Sequence, residues 1–163
     1  MPILRPCCLV HQVLVGLSTA LWVRHAALAD DDRRLQLTQL LPRYQQECAA
    51  CHVAYPPGML PSGSWQHLLN SLPHHYGTDA SLDAATVKQL AGWLTENAGT
   101  YKPVRELPPE DRITRTGWFI RKHDEIPSSV WLRPAVKSAA NCAACHTRAN
   151  QGDFNEHYVR IPR

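Results

Sequence analysis

Two copies of one five-residue string place the strongest constraint on how this chain can fold. The sequence Cys-Ala-Ala-Cys-His occupies residues 48–52 and residues 142–146. C-x-x-C-H is the attachment motif of c-type haem, in which the two thiols bond to the vinyl groups of the porphyrin and the histidine binds the iron. Two haem c groups are therefore predicted, with His52 and His146 as proximal iron ligands. The attachment residues are Cys48, Cys51, Cys142 and Cys145.

Three other uses of paired cysteines fit the sequence less well. A thioredoxin-like C-x-x-C pair lies next to a β-α-β pattern, and no run in this chain alternates well enough to predict a long strand. A four-cysteine zinc site usually gathers closely spaced pairs, whereas these pairs begin 94 residues apart. Two simple disulfides would leave the histidine after each pair unexplained. Haem attachment accounts for all of these residues.

The first 29 residues have the features of a secretory signal peptide. A short basic start ends at Arg5, a mostly apolar run covers residues 9–23, and residues 27–29 form a small-x-small cleavage sequence. The apolar run is short for a membrane-spanning helix. We therefore predict that residues 1–29 are removed during export and that the protein is periplasmic. The charge on Arg24, just before the cleavage sequence, leaves an uncleaved N-terminal anchor as the alternative.

The charge balance gives no indication of nucleic-acid binding. Beyond residue 29 the chain has 15 Lys+Arg against 14 Asp+Glu, and the basic residues form no stripe. After signal cleavage nothing predicts membrane insertion, and we expect a monomer. A chain of this length buries a modest core, which two buried haems would enlarge considerably.

The residue on the far side of each iron decides what the haem can do. Methionine there raises the reduction potential, and an open position would allow ligand or substrate chemistry. The chain has two methionines. Met1 leaves with the signal, and Met59, which follows His52 by seven residues in a proline-rich loop, is interpreted as packing. At most one haem could therefore have a methionine ligand.

Beyond the signal, five histidines lie outside the motifs: His67, His74, His75, His123 and His157. His67 lies on a predicted short amphipathic helix, and His157 lies in the tail. His123 ends an aromatic segment that is suited to lining a haem face. We favour His75 as the distal ligand of the first haem and His123 as that of the second. The adjacent His74 remains an alternative to His75.

Hydrophobic periodicity predicts an all-α protein, mostly helical with long irregular loops. Three prolines between residues 102 and 111 indicate a linker. We therefore predict two haem domains, residues 30–105 and residues 106–163, which share the motif but little else and so do not form a repeat. Helices are expected over residues 35–51, with a kink near Pro42, and over residues 64–72, 81–99, 114–124 and 135–149. Ser64 and Ser81 are the predicted N-caps of the second and third of these.

Longer strings around these sites resemble the dihaem cytochrome c family of proteobacteria. The resemblance spans nearly the whole chain after residue 29, and these strings are more specific than the two haem motifs alone. They are residues 47–61, 64–65, 75–77, 79–83, 112–123, 138–146 and 159–163.

The resemblance implies that both haems have two axial histidines, His52 with His75 and His146 with His123. It also implies a class I cytochrome c-like N-terminal domain and a small C-terminal haem module. The implied partners are a small oxygen-binding monohaem cytochrome c and a membrane b-type cytochrome. The family string at the first distal site is similar to His-Phe-Gly, whereas this chain has His-Tyr-Gly preceded by the extra His74.

Two functions follow from these alternatives at the iron. Two six-coordinate haems leave no open iron, so the leading prediction is a periplasmic electron-transfer protein that is not an enzyme. The alternative is a small haem enzyme, of the peroxidase or nitrogen-oxide reductase type, which requires one five-coordinate iron.

Overall fold

The structure, a computed structural model, describes residues 40–163, so the predicted signal peptide lies outside the described residues. Within this range the chain forms helices, tight helical turns and loops, and it contains two isolated β-bridges but no strand. The prediction of an all-α protein is therefore confirmed. None of the helices in residues 40–163 has the length and apolar character needed to cross a membrane.

The longer helices lie in the first half of the described chain. The α-helices are α1 (Pro42–Cys48), α2 (Ser62–Asn70), α3 (Ala84–Asn97), α4 (Gly117–Lys122) and α5 (Ser128–Trp131). Short 3-10 turns connect them at Pro57–Met59, Leu72–His74, Lys102–Val104, Pro109–Asp111, Ile113–Arg115, Cys142–Ala144, Ala149–Gln151 and Glu156–Tyr158.

The main hydrophobic core lies between α1, α2 and α3. Leu90 and Leu94 of α3 are almost fully buried, and because they are four residues apart they share one face of the helix. Burying each such leucine contributes roughly 2 kcal/mol. Tyr44 of α1 meets the Trp65 ring of α2 edge-on, with ring centroids 6.4 Å apart. This core supports the loop that follows the first haem motif.

Three aromatic side chains fix the position of that loop. The loop is rich in proline, which has no backbone N–H, so its carbonyl groups need donors from elsewhere when they are buried. The Tyr44 hydroxyl donates to the Tyr55 carbonyl at 2.8 Å. The indole N–H of Trp65 donates to the Pro57 carbonyl at 2.7 Å, and that of Trp118 donates to the Met59 carbonyl at 3.2 Å. Met59 itself is buried, in agreement with its interpretation as a packing residue.

The end of α3 docks onto the same loop through a glycine. The Gly99 amide donates to the Leu60 carbonyl at 2.9 Å. A Cβ atom at position 99 would lie 2.4 Å from the Gly58 carbonyl oxygen and 2.4 Å from a methyl carbon of Val104. This close approach of backbones requires glycine.

The helix boundaries in the first half differ from the prediction by a few residues. The second helix begins at Ser62, before its predicted cap Ser64. The N-cap of α3 is Asp83, whose carboxylate accepts from two backbone amides of the first turn at 3.0 Å, whereas the predicted cap Ser81 bonds to Asp79. In the described residues α1 begins at Pro42. Proline is favoured in the first turn of a helix, which is the position of Pro42 in α1. The part of the predicted helix before residue 40 lies outside the described residues.

The helix predicted over residues 135–149 is wrong. Lys137 has φ of 67°, a left-handed conformation that ends a right-handed helix. The Asn141 side chain then donates to the Val136 carbonyl at 3.0 Å. In a continuous helix a backbone amide would donate to that carbonyl instead. The second motif therefore begins on the 3-10 turn Cys142–Ala144.

Candidate haem sites

The structure pairs the ring of His52 with that of His75. The ring centroids are 6.2 Å apart and the ring planes differ by 30°. An imidazole nitrogen lies about 2 Å from a bound transition metal and about 1 Å from its own ring centre, so imidazoles on opposite sides of one ion have centres roughly 6 Å apart. The observed separation therefore fits one iron between the two rings.

His52 follows α1, and the backbone of the next residue orients its ring. Its Nδ1 lies 2.8 Å from the Val53 carbonyl oxygen. Because a carbonyl oxygen only accepts, Nδ1 carries the proton and Nε2 keeps the lone pair that binds a metal. The ring of Tyr55 stacks on the His52 ring at 4.9 Å, with the planes 19° apart. Both contacts restrict the direction in which Nε2 points.

A tight turn presents His75. The Thr78 amide donates to the His75 carbonyl at 3.0 Å, and the two central residues, Tyr76 and Gly77, have φ of 50° and 93°. Two consecutive left-handed residues define a type I′ turn. The Tyr76 hydroxyl donates to the Glu110 carbonyl at 2.8 Å, which fastens this turn to the second half of the chain.

The surroundings of the His75 ring favour its neutral form. Its Nδ1 is buried and has no hydrogen-bond partner. Burial, and then the neighbouring His52, lower the pKa of His75. A neutral imidazole retains a lone pair, which is the form that binds a metal.

The other candidate histidines of the first half are placed differently. His74 is exposed and lies near Asp79, whose pKa is lowered mainly by hydrogen bonds from Ser81 and in smaller part by His74. His67 is exposed and pairs with Asp111 at 3.2 Å. Of the adjacent pair, His75 is the residue whose ring lies against His52.

The second site pairs the rings of His123 and His146. Their centroids are 6.1 Å apart, again close to the separation that one iron requires, and the planes differ by 65°. His123 caps the end of α4, where its Nδ1 donates to the Phe119 carbonyl at 2.9 Å. The Phe119 ring stacks on the His123 ring at 4.0 Å, with the planes 18° apart. As at His52, Nε2 is left with the lone pair.

The C-terminal tail holds His146 in place. Val159 forms a β-bridge with His146, and the Arg160 amide donates to the Cys145 carbonyl at 2.8 Å. Burial and then His123 lower the pKa of His146, while the backbone of Phe154 acts in the opposite direction. Nδ1 of His146 makes no hydrogen bond of ordinary geometry. His157, the remaining candidate, lies on the tail and bonds to Asn155.

Aromatic rings surround the second pair of histidines. Trp131 lies 6.0 Å from the His123 ring, and Phe154 lies 5.4 Å from the His146 ring. The aromatic segment before His123 contributes Phe119, whose ring stacks on the His123 ring. No sequence pattern indicated Phe154, because its contact depends on how the tail folds back.

The environments of the cysteines in residues 40–163 do not favour any of the three competing interpretations. None of the four cysteines in residues 40–163 forms a disulfide. Burial raises the thiol pKa of Cys48 and of Cys142 to about 11, and protonated thiols are poor nucleophiles for disulfide exchange. Within the same residues no three His, Cys, Asp or Glu side chains gather to hold a bare metal ion. Each cysteine pair instead precedes a histidine that belongs to an imidazole pair, which fits covalent haem.

Comparison with known proteins agrees with this geometry. The sequence profile of the family described as dihaem cytochrome c matches residues 44–154, which include both motifs. The chain belongs to the dihaem cytochrome c family. As a dihaem cytochrome c it carries two haem c groups with iron, and its function is haem-based electron transfer.

Solved structures of dihaem cytochromes c are similar in sequence and fold. The X-ray structure of sb-DHC from Shewanella baltica OS155 is 36% identical, covers 74% of this chain and 92% of its own, and has a TM-score of 0.65. The crystal structure of DHC from Rhodobacter sphaeroides is 41% identical, covers 72% of this chain and 100% of its own, and has a TM-score of 0.63. No curated protein matches the chain.

In this dihaem cytochrome c, we expect Thr116→Val to destabilise the second haem site. Thr116 is buried, accepts from the Phe119 amide at 3.1 Å and donates to the Ile113 carbonyl at 2.8 Å. Valine keeps the shape but removes the N-cap, which costs about 1 kcal/mol. Thermal unfolding of the holoprotein, followed at the haem absorbance, measures the loss. Thr116→Ser, which keeps the hydroxyl, is the control, and an unchanged midpoint for Thr116→Val would contradict the expected role.

Proposed function

We propose that this protein is a periplasmic electron carrier in which each haem has two axial histidines. The ligand pairs are His52 with His75 and His146 with His123. Two ring separations support this assignment, 6.2 Å in the first pair and 6.1 Å in the second. Both match the spacing of two imidazoles on one metal ion, so neither iron has an open position for a substrate, and the protein catalyses no bond change.

When bound, haem c supplies one-electron chemistry between ferric and ferrous iron. The chain sets the energy of that change through the imidazoles. At each site one histidine is anchored through Nδ1, to the Val53 carbonyl at His52 and to the Phe119 carbonyl at His123. Such a bond makes Nε2 more basic, which favours the ferric state. Two axial histidines act in the same direction, so we expect low reduction potentials at both haems.

The proposed location follows from the N-terminal sequence, and the proposed partners follow from the family resemblance. Residues 1–29 are proposed to direct export and to be cleaved, and the monomeric carrier is proposed to exchange electrons with a small monohaem cytochrome c and a membrane b-type cytochrome. Expression of the full chain in a host that matures c-type cytochromes tests the export step. We expect the holoprotein in the periplasmic fraction, with a mass that corresponds to a chain starting at Asp30. A membrane-bound product of full length would contradict cleavage.

The two ligand pairs also predict distinguishable electron paramagnetic resonance signals. The angle between axial ring planes is 30° in the first pair and 65° in the second. In low-spin ferric haem this angle controls the splitting of the iron d orbitals and therefore the g values. We expect two low-spin signals of equal weight in the oxidised protein, with the larger maximum g value at the second haem. A high-spin ferric signal would contradict the proposed ligands and support the haem-enzyme alternative.

A further inference from the structure

Tyr55 contacts both candidate haem sites. Its ring stacks on the His52 ring at 4.9 Å, and its hydroxyl donates to the Ala140 carbonyl at 3.0 Å, across 85 residues of sequence. Ala140 stands two residues before Cys142, the first attachment residue of the second haem. One half-buried side chain therefore joins the proximal histidine of one site to the attachment turn of the other.

Tyr55 is held firmly from the side of the first haem. The hydroxyl of Tyr44, which is 2% exposed, donates to the Tyr55 carbonyl at 2.8 Å. Pro56 and Pro57 follow directly, and each proline fixes its own φ. A tyrosine side chain has only two rotatable torsions, so it loses little entropy when it is ordered. The Tyr55 side chain is thus rigid, and its backbone is bonded to the core of the first half.

The acceptor is also fixed from the side of the second haem. The Ala140 amide donates to the Ser138 hydroxyl oxygen at 3.1 Å. The adjacent Asn141 donates to the carbonyl of Val136, which is fully buried. The hydrogen bond between Tyr55 and Ala140 therefore connects two ordered segments, and its loss would let them move apart.

We propose that Tyr55 is a positioning residue that fixes the separation of the two haem sites and so supports electron transfer between them. In that transfer one iron is oxidised from ferrous to ferric while the other is reduced from ferric to ferrous. The phenol keeps its proton and is not oxidised. The inference rests on the proposed role of His52, because the stacked ring positions that ligand.

The test uses holoprotein variants in which single contacts are removed. Tyr55→Phe keeps the stack on His52 and removes the bond to Ala140, and Ser138→Ala loosens the same contact from its other side. His67→Ala is the matched control, because it removes another side-chain contact between the two halves, to Asp111 at 3.2 Å, away from Cys142 and outside both histidine pairs. For each variant, haem content and optical spectra are recorded first, and pulsed electron paramagnetic resonance then gives the distance distribution between the two ferric irons.

We expect a single narrow distance in the wild type and in His67→Ala. Tyr55→Phe is expected to lose that narrow distribution and to slow intramolecular electron transfer after rapid reduction, with both haems still attached and low-spin. Ser138→Ala should give the same change to a smaller degree, and it decides the matter if Tyr55→Phe fails to mature. A wild-type distance and rate in both variants would overturn the inference while leaving the ligand assignment intact. Equal broadening in His67→Ala would also overturn the inference, because the effect would then belong to general cohesion of the two halves.

Discussion

Replacing Cys142 and Cys145 by serine is expected to unfold residues 106–163 while the first haem still attaches. In this half α4 has six residues and α5 has four, and helices this short are unstable without tertiary packing. Its buried hydrophobic side chains are few and are Phe119, Val130, Val136 and Ala149. The second haem must therefore supply most of the apolar surface around which this half folds.

The first half is expected to respond differently to the loss of its own haem. Its core contains residues from three helices, including Tyr44, Trp65, Leu90 and Leu94. A double replacement of Cys48 and Cys51 by serine should therefore leave residual protection in α2 and α3. Amide hydrogen exchange, read by mass spectrometry for each half, compares the two double variants. Full protection of residues 106–163 without the second haem would contradict this prediction.

His123→Ala and His75→Ala are each expected to convert one haem to a five-coordinate, high-spin form that binds carbon monoxide. Each substitution removes one imidazole of a ring pair, and alanine offers no ligand in its place. The potential of the affected haem should rise, because the remaining histidine alone stabilises ferric iron less well. His74→Ala is the control for the first site, since the exposed His74 ring lies outside the pair. Optical spectra with and without carbon monoxide distinguish the three variants.

His123→Ala and His75→Ala should differ in their free energy of unfolding. His123 donates to the Phe119 carbonyl, so His123→Ala leaves that carbonyl without its donor, which costs about 1 kcal/mol beyond the loss of the ligand. Nδ1 of His75 has no partner, so His75→Ala carries no such cost. A high-spin haem in His74→Ala together with a low-spin spectrum in His75→Ala would reverse the assignment at the first site.

How much the sequence could predict depended on the range of the interactions involved. The two motifs defined the attachment residues because haem attachment is local in sequence, and α3 was evident from its apolar face. The helix over residues 135–149 was wrongly predicted because the left-handed Lys137 and the side-chain bond of Asn141 interrupt a favourable periodicity. No pattern indicated Tyr55 as a link between the sites, since its partner lies 85 residues away.

The choice between His74 and His75 illustrates the same limit. Two adjacent histidines have nearly the same sequence neighbourhood, and apart from the family resemblance they are distinguished by the backbone of the following turn. Gly77, with φ of 93°, permits the type I′ turn that follows His75. A glycine two residues after His75 was the available sequence indication of this turn. The position of the turn also depends on the hydrogen bond from Tyr76 to Glu110, which the sequence does not reveal.

The most direct test of the central claim is a pyridine haemochrome count combined with visible and near-infrared spectra of the purified holoprotein, oxidised, reduced and exposed to carbon monoxide. The proposed ligand pairs predict two haems per chain, low-spin bands in both oxidation states, no methionine–iron charge-transfer band and no spectral change with carbon monoxide. A high-spin band or a shift on adding carbon monoxide would reveal an open iron and would contradict the proposal of a purely electron-carrying protein.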